Sequence, residues 1–206
     1  AVFKVNTPAG AAGTYVKLSL QNDNDLATAD AALGVDTSNA GSGVPLQYYN
    51  GTAWVDYTPG ASVLIPAGGL LVRTGIVNDA PYEGAETFQL NATVSNAAGT
   101  VAGLSSYGTA TIHDDGTGDI FAGTNTTGTP DVPGQNGAPA LNDDRTLRIN
   151  DVTVNEASPY MVFTLSNLGG TALTGVTLAT VLDNDPTTAN ATLGASPTIE
   201  YYNGSA

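Results

Sequence analysis

Cysteine is absent from this 206-residue chain, so neither a disulfide nor a thiolate metal site is available to it. An extracellular protein without disulfides needs another source of stiffness, and calcium is one. Basic residues are scarce too: 5 Lys and Arg stand against 19 Asp and Glu, a net charge of −14. That balance disfavours nucleic acid and anionic membrane surfaces as partners and favours cations. No run approaches 18 apolar residues, so no membrane span is expected. The single histidine, His113, has no second nitrogen or sulfur ligand with which to hold zinc, and it gives no basis for a Ser-His-Asp arrangement. The stretch "GTGDIFAG" (residues 116–123) lacks the lysine and following helix of a phosphate loop. The chain therefore reads as a non-enzyme. It shows no secretion leader and begins inside the strand-like "AVFKV", as expected of a piece cut from something longer.

Lys, Glu, Leu and Arg, the usual helix builders, are thin, and no amphipathic helical stripe of ten residues is present. Hydrophobic residues still make up 41%, enough for a real core. They fall in short runs bounded by Gly, Pro, Asn and Asp: "YVKLSL", "AWVDY", "SVLIP", "LLVRT", "ETFQLNATV", "TATIH", "LRINDVTV" and "MVFTL". In residues 86–95, Phe88, Leu90, Ala92 and Val94 alternate with Thr87, Gln89, Asn91, Thr93 and Ser95, the mark of a half-buried strand. "YNGT" (residues 49–52) predicts a hairpin with a type I′ turn at Asn50-Gly51. Strands at this spacing predict an all-β, antiparallel sandwich.

The chain repeats itself. Residues 2–25 align without gaps on residues 162–185, and 15 of the first 34 positions are identical to their counterparts 160 residues later. After a seven-residue deletion, "PLQYYNGTAW" (residues 45–54) answers "TIEYYNGSA" (residues 198–206). The second copy shows what precedes its "MVFTL" strand, namely "TLRINDVTVNEASPY" (residues 146–160). The expected organisation is a sandwich repeat over residues 1–115 lacking its first strand, a Gly/Pro/Asn-rich linker over 116–145, and the N-terminal part of the next repeat over 146–206. Copies of this length are whole domains in series rather than solenoid turns. Strand addition from a neighbouring repeat or another subunit would complete them.

Acidic residues gather where strands begin and end. Asp79, Glu83 and Glu86 crowd the loop feeding residues 86–95, with no basic residue among them, and Asp114-Asp115 leave the strand "TATIH". Alternate strand ends of an antiparallel sandwich meet at one pole, so these carboxylates are expected to converge. Calcium takes six to eight oxygen ligands and suits such a cluster; the plain alternative is a solvated acidic rim. "NDND" (residues 22–25) and its counterpart "DND" (residues 183–185) read as polar turns capping their own backbone. Asp143 and Asp144 fit either a bridging cation or loop solvation. Tyr48, Tyr49, Trp54 and Tyr57 fit core and cross-strand packing better than a sugar-stacking face.

Together, "NDAPYEGAETFQL", "GTATIHDDG" and "LRINDVTVNEASPYMVFTL" resemble Calx-beta repeats and the related Ig-like tandem repeats of giant bacterial surface adhesins, including those of the RTX class. The resemblance covers nearly the whole chain apart from the linker; the glycine-rich nonapeptide repeats of RTX C-termini are absent. It implies a seven-stranded sandwich with calcium at one pole, and as ligands Asp79, Glu83, Glu86, Asp114, Asp115 and the Glu of the "VNE" segment, Glu156. The function it implies is that of a structural extender in an extracellular or cell-surface protein, an adhesin or filament of biofilms, stiffened by calcium and partnered by neighbouring repeats. A carbohydrate- or surface-binding module on the same sandwich, with surface glycans as partners, is the alternative.

Overall fold

The alternating residues 86–95 form the strand that organises the sandwich. The computed structural model describes residues 1–7, 13–37, 46–79, 81–100, 103–167, 176–181 and 199–202, which separate into two compact units, Ala1–Gly169 and Gly170–Ala206. The first unit holds strands β1 (Val2–Val5), β2 (Tyr15–Gln21), β3 (Ala29–Asp30), β4 (Gln47–Tyr49), β5 (Trp54–Asp56), β6 (Val63–Leu64), β7 (Leu70–Arg73), β8 (Glu86–Ser95), β9 (Ser105–Ile112), β10 (Leu147–Ile149) and β11 (Leu165–Asn167). The described residues of the second unit carry no regular element. Among the described residues no helix is long and apolar enough to cross a membrane.

Two sheets enclose one core. The first has the order β1-β7-β4-β5, and in the second β8 lies between β9 on one side and β2 and β3 on the other, with β6 beyond β2. Their facing side chains, Val16, Leu18, Val63, Leu90 and Ala92 from one sheet and Leu70 and Val72 from the other, pack with Leu46, Tyr57 and Ile65. Phe88 is fully buried and meets the edge of the Phe3 ring at 5.9 Å. Burying such side chains removes apolar area from water at about 25 cal/mol per Å². Among the described residues the antiparallel expectation holds for every strand pair but one: β3 pairs parallel with the start of β8, because the turn after β2 sends the chain back on itself. That turn is polar and self-capped. The Asp25 carboxylate accepts from Ala27 and Thr28 N–H (2.8 and 2.9 Å), and Asp30 accepts from Asn24 N–H (3.1 Å). The counterpart turn at residues 183–185 and the Asn203-Gly204 hairpin lie outside the described residues.

The outer face of β8 is less wet than alternation alone implies. Thr87, Gln89 and Ser95 are buried, each with a side-chain hydrogen bond to a neighbouring segment. Thr28 and Thr87 hydroxyls lie 2.9 Å apart, Gln21 donates to Gln89 (3.0 Å), and Asn91 donates to Gln21 (3.2 Å). The hairpin between β4 and β5 forms where expected, with Tyr49 opposite Trp54, but by a different turn. Gly51 takes φ +96° and Asn50 does not take a positive φ, the pattern of a type II′ turn. The Asn50 side chain instead accepts from the Thr52 and Ala53 N–H groups, both at 2.9 Å, which fixes the turn that follows β4.

Residues 116–145, expected as a linker, belong to the first unit and bond to its sandwich. Trp54 Nε1 donates to the Asn125 carbonyl (2.9 Å), Arg73 donates to the Gly123 carbonyl (2.7 Å), and Ala122, Asn125 and Ala138 are buried. The neck of this segment is closed by the Asp115–Asp143 bridge, by Gly116 N–H to the Asn142 carbonyl and Asp144 N–H to the Asp114 carbonyl (2.8 Å each), and by Arg145 on the Asp115 carbonyl (2.6 Å). Its Gly, Pro and Asn content suits such a chain of tight turns as well as it suits a spacer. The aromatic run is used in packing. Tyr57 is buried, with its hydroxyl accepting from Leu18 N–H (3.0 Å) and donating to the Ala61 carbonyl (2.8 Å). Trp54 lies 5.5 Å from Tyr49, with the Arg73 guanidinium 4.2 Å above its ring.

Candidate metal centre

The parallel pairing of β3 with β8 decides where Asp36 falls. Ala31 N–H donates to the Thr87 carbonyl (2.8 Å), so the chain leaving β3 stays beside the start of β8. Val35 and Asp36 N–H both donate to the Ala32 carbonyl (2.9 Å each), and Val77 N–H donates to the Asp36 carbonyl (2.8 Å). This pins Asp36 between β3 and the chain that follows β7. Its buried carboxylate accepts from Ala32 N–H.

Asp79, Glu83 and Glu86 come from the loop entering β8 and from the first residue of that strand. Glu86 faces Ile112 at the end of β9, which places Asp114 at the same pole. One Asp114 oxygen, Oδ2, accepts from Glu83 N–H (2.6 Å) and Gly84 N–H (3.3 Å), so the loop folds around this side chain. Gly84 allows the turn by taking φ +87°. The other oxygen, Oδ1, is buried without a hydrogen-bond partner among the described residues, a costly arrangement for a carboxylate left alone.

Carboxylate oxygens of Asp36, Asp79 and Glu83 all lie within 4.8 Å of one another. Two oxygens on opposite sides of a calcium ion, each at about 2.4 Å, are separated by about that distance. Burial pushes the Glu86 carboxyl up, the charges of Asp36, Glu83 and Asp114 add to the effect, and a hydrogen bond to Asp36 favours the protonated form; together they take it to about 7. Glu83 is raised for the same kinds of reason, desolvation first and then Asp36, Asp79 and Asp114. The charges acting on both groups are carboxylates. The donor set of hard oxygens, one of them an orphan, fits a calcium ion.

Of the six residues singled out in the sequence, Asp79, Glu83, Glu86 and Asp114 meet at this pole. Asp115 is occupied elsewhere: its carboxylate accepts from the Thr117 N–H (3.1 Å) and hydroxyl and lies 4.0 Å from His113 Nδ1. The Thr117 bonds, with lesser help from His113 and Arg145, hold its carboxyl below the usual range. Asp143 is ion-paired to Arg145 at 2.7 Å. Glu156 is exposed on the segment between β10 and β11. Asp36 is the member that sequence reading missed; no local motif marks "GVDT", and only the β3–β8 pairing brings it in. A cleft of about 890 Å³ opens beside the pole, lined by Val2 and Phe3 of β1, Thr109 and Thr111 of β9, and Glu83 and Glu86. Compared with protein-family models, with curated proteins and with solved structures, the chain matches none.

Proposed function

We propose that this chain is a structural repeat of a large extracellular or cell-surface bacterial protein, an adhesin or surface filament, in which calcium stiffens the sandwich. The observation that carries the reading is the convergence of Asp36, Asp79, Glu83, Glu86 and Asp114 at one pole, with no basic partner for them among the described residues. Without a cation these charges repel one another; with one, the repulsion becomes binding free energy. Asp36, Asp79 and Glu83 would hold the ion from one side, with Glu86 and the orphan Asp114 oxygen closing on it. The ion would tie together the loop after β3, the loop before β8 and the chain leaving β9. The internal repeat, and the resemblance to Calx-beta and adhesin repeats, support a mechanical rather than a catalytic task. The packing of Trp54, Tyr49 and Tyr57 favours a scaffold over a glycan-stacking face.

A cation that binds only the folded state stabilises it by about 2.7 kcal/mol at a hundredfold excess over its dissociation constant. Thermal melts of chelated protein titrated with calcium test the reading, alongside isothermal calorimetry. A saturable rise in melting temperature with heat of binding is expected. A flat response across millimolar calcium overturns it.

A further inference from the structure

Residues 116–142 form a strap that folds on itself and is tied down at two places. Asn125 organises its body. Asn125 Nδ2 donates to the Thr129 carbonyl (2.7 Å) and to Asp131 (2.8 Å), and its side-chain oxygen accepts from Thr127 and Gly128 N–H (3.1 and 3.0 Å). Asp131 in turn accepts from Ala122 N–H (2.8 Å). The strap therefore has a shape of its own and docks as a unit. Leu70 and Val72 face the core, so Leu71 and Arg73 look outward by alternation, and the tip of the strap lies on that outer face. There Trp54 Nε1 reaches the Asn125 carbonyl and Arg73 the Gly123 carbonyl. Gly128 comes so close to Leu71 that a Cβ would stand 2.8 Å from its Cδ2. The second tie is the neck between residues 114–116 and 142–145.

The neck shares residues with the acidic pole. Asp114 serves both: its carboxylate holds Glu83 and Gly84 N–H, and its carbonyl accepts from Asp144 N–H. Asn78, next to Asp79, accepts from the Asn142 side-chain amide (2.7 Å), and the same amide donates to Asp144 (2.7 Å). Shutting the neck thus fixes the loop that carries Asp79 and Glu83 as well as the chain leaving β9.

Shutting it also adds charge. Asp143 is paired with Arg145, the only basic residue between positions 114 and 145. Asp144 has no such partner among the described residues, and it brings its carboxylate to a cleft wall that already holds Asp36, Asp79, Glu83, Glu86 and Asp114. Like charges gathered in this way oppose closure, and removing part of the excess favours it. The buried Asp114 Oδ1, without a hydrogen-bond partner among the described residues, belongs to the residue that pole and neck have in common, so whatever satisfies it acts on both.

We propose that residues 116–142 are a charge-gated strap over the Trp54 face: repulsion at the pole loosens the neck and frees the tip, and neutralising the pole shuts both. With the neck shut, the bonds at the tip close a loop whose ends are already together. With it open, the same bonds must hold the whole segment against its chain entropy. Release uncovers Trp54, Tyr49 and Arg73, so the charge at the pole decides whether that face of the sheet meets solvent. The identity of the neutralising ion as calcium rests on the reading given above; the coupling between pole charge and strap does not.

Trp54 is the only tryptophan in the chain, so its fluorescence reads the tip directly, and hydrogen exchange of the Gly116 and Asp144 amides reads the neck. In chelator, well below the melting temperature, Glu83→Gln and, separately, Glu86→Gln are expected to lower acrylamide quenching of Trp54 by about twofold and to slow exchange of both amides by about threefold. Calcium added to the parent chain is expected to do the same. Quenching and exchange that respond neither to calcium nor to either substitution overturn the proposal. So does an equal response to Glu156→Gln, which removes an exposed charge outside the pole. A melting temperature that rises with calcium while Trp54 and the two amides stay unmoved in every sample overturns the strap and leaves calcium stiffening intact. A response to the substitutions with none to calcium supports the strap and removes calcium stiffening alone.

Discussion

Glu86→Gln separates a metal pole from a solvated acidic rim by the sign of its effect. The Glu86 carboxyl stands at about 7 in the folded chain, against about 4.5 when free, through burial and the charges of Asp36, Glu83 and Asp114. Below about pH 4.5 it is protonated in both folded and unfolded chains and costs nothing. Between about 4.5 and 7 the folded chain holds a proton that the unfolded chain has released, so stability falls as pH rises through that window. Above about 7 the full cost is present. A shift of that size corresponds to about 3 kcal/mol, and solvent screening at this half-buried position reduces it to about 1–2 kcal/mol. Glutamine keeps a donor for the Asp36 carboxylate and carries no charge. In chelator at pH 8, Glu86→Gln is therefore expected to melt about 2–6 °C above the parent chain, with the two converging near pH 5. In calcium the order of gains reverses. Losing one anionic ligand weakens binding at least tenfold, which removes about 1.4 kcal/mol of calcium stabilisation at a fixed excess of ion. Melts followed by circular dichroism at pH 5 and pH 8, with and without calcium, read all these quantities. A parent chain whose chelated melting temperature is flat between those pH values, or a variant no more stable than the parent at pH 8, refutes the idea that these carboxylates are forced together.

Other outcomes follow from single contacts. Asp115→Asn should leave the calcium-induced shift intact in the same melts, because its carboxylate serves Thr117 rather than the pole. Phe88→Ala empties a fully buried site against Phe3 and should cost about 3–5 kcal/mol, read as a melting temperature lower by about 10 °C. Trp54→Ala removes the bond to Asn125 and the stack beneath Arg73. Limited proteolysis should then cut within residues 116–145 several-fold faster, while the sandwich melts within a few degrees of the parent chain.

Period-two alternation made β8 legible from sequence, because one face of that strand meets the core and chain connectivity is not needed to see it. Phe88, Leu90 and Ala92 were identifiable as core in this way. The burial of Thr87 and Gln89 was not, since it depends on Thr28 and Gln21 arriving from other strands. Four of the acids were readable because they flank β8 and β9, whose antiparallel pairing joins their loops at one pole. Asp36 escaped because a parallel pairing between a two-residue strand and the start of β8 leaves no mark in either segment. Asp115, next in sequence to Asp114, turns the other way to cap Thr117, and adjacency alone does not reveal that. The turn at Gly51 likewise depended on what the Asn50 side chain does once the strands are paired.

The neck that closes residues 116–142 has a consequence for a chain under tension. Because Asp115 and Asp143 lie side by side, a pulling force passes from one to the other across a few backbone hydrogen bonds and the Arg145 clasp, and bypasses the segment between them. Opening that clasp, and with it the bonds from Trp54 and Arg73 to the segment, would release slack of roughly 90 Å at about 3.4 Å per residue while β8 and its neighbours stay paired. The segment would then act as a mechanical fuse, lengthening the tether before the sandwich itself has to yield.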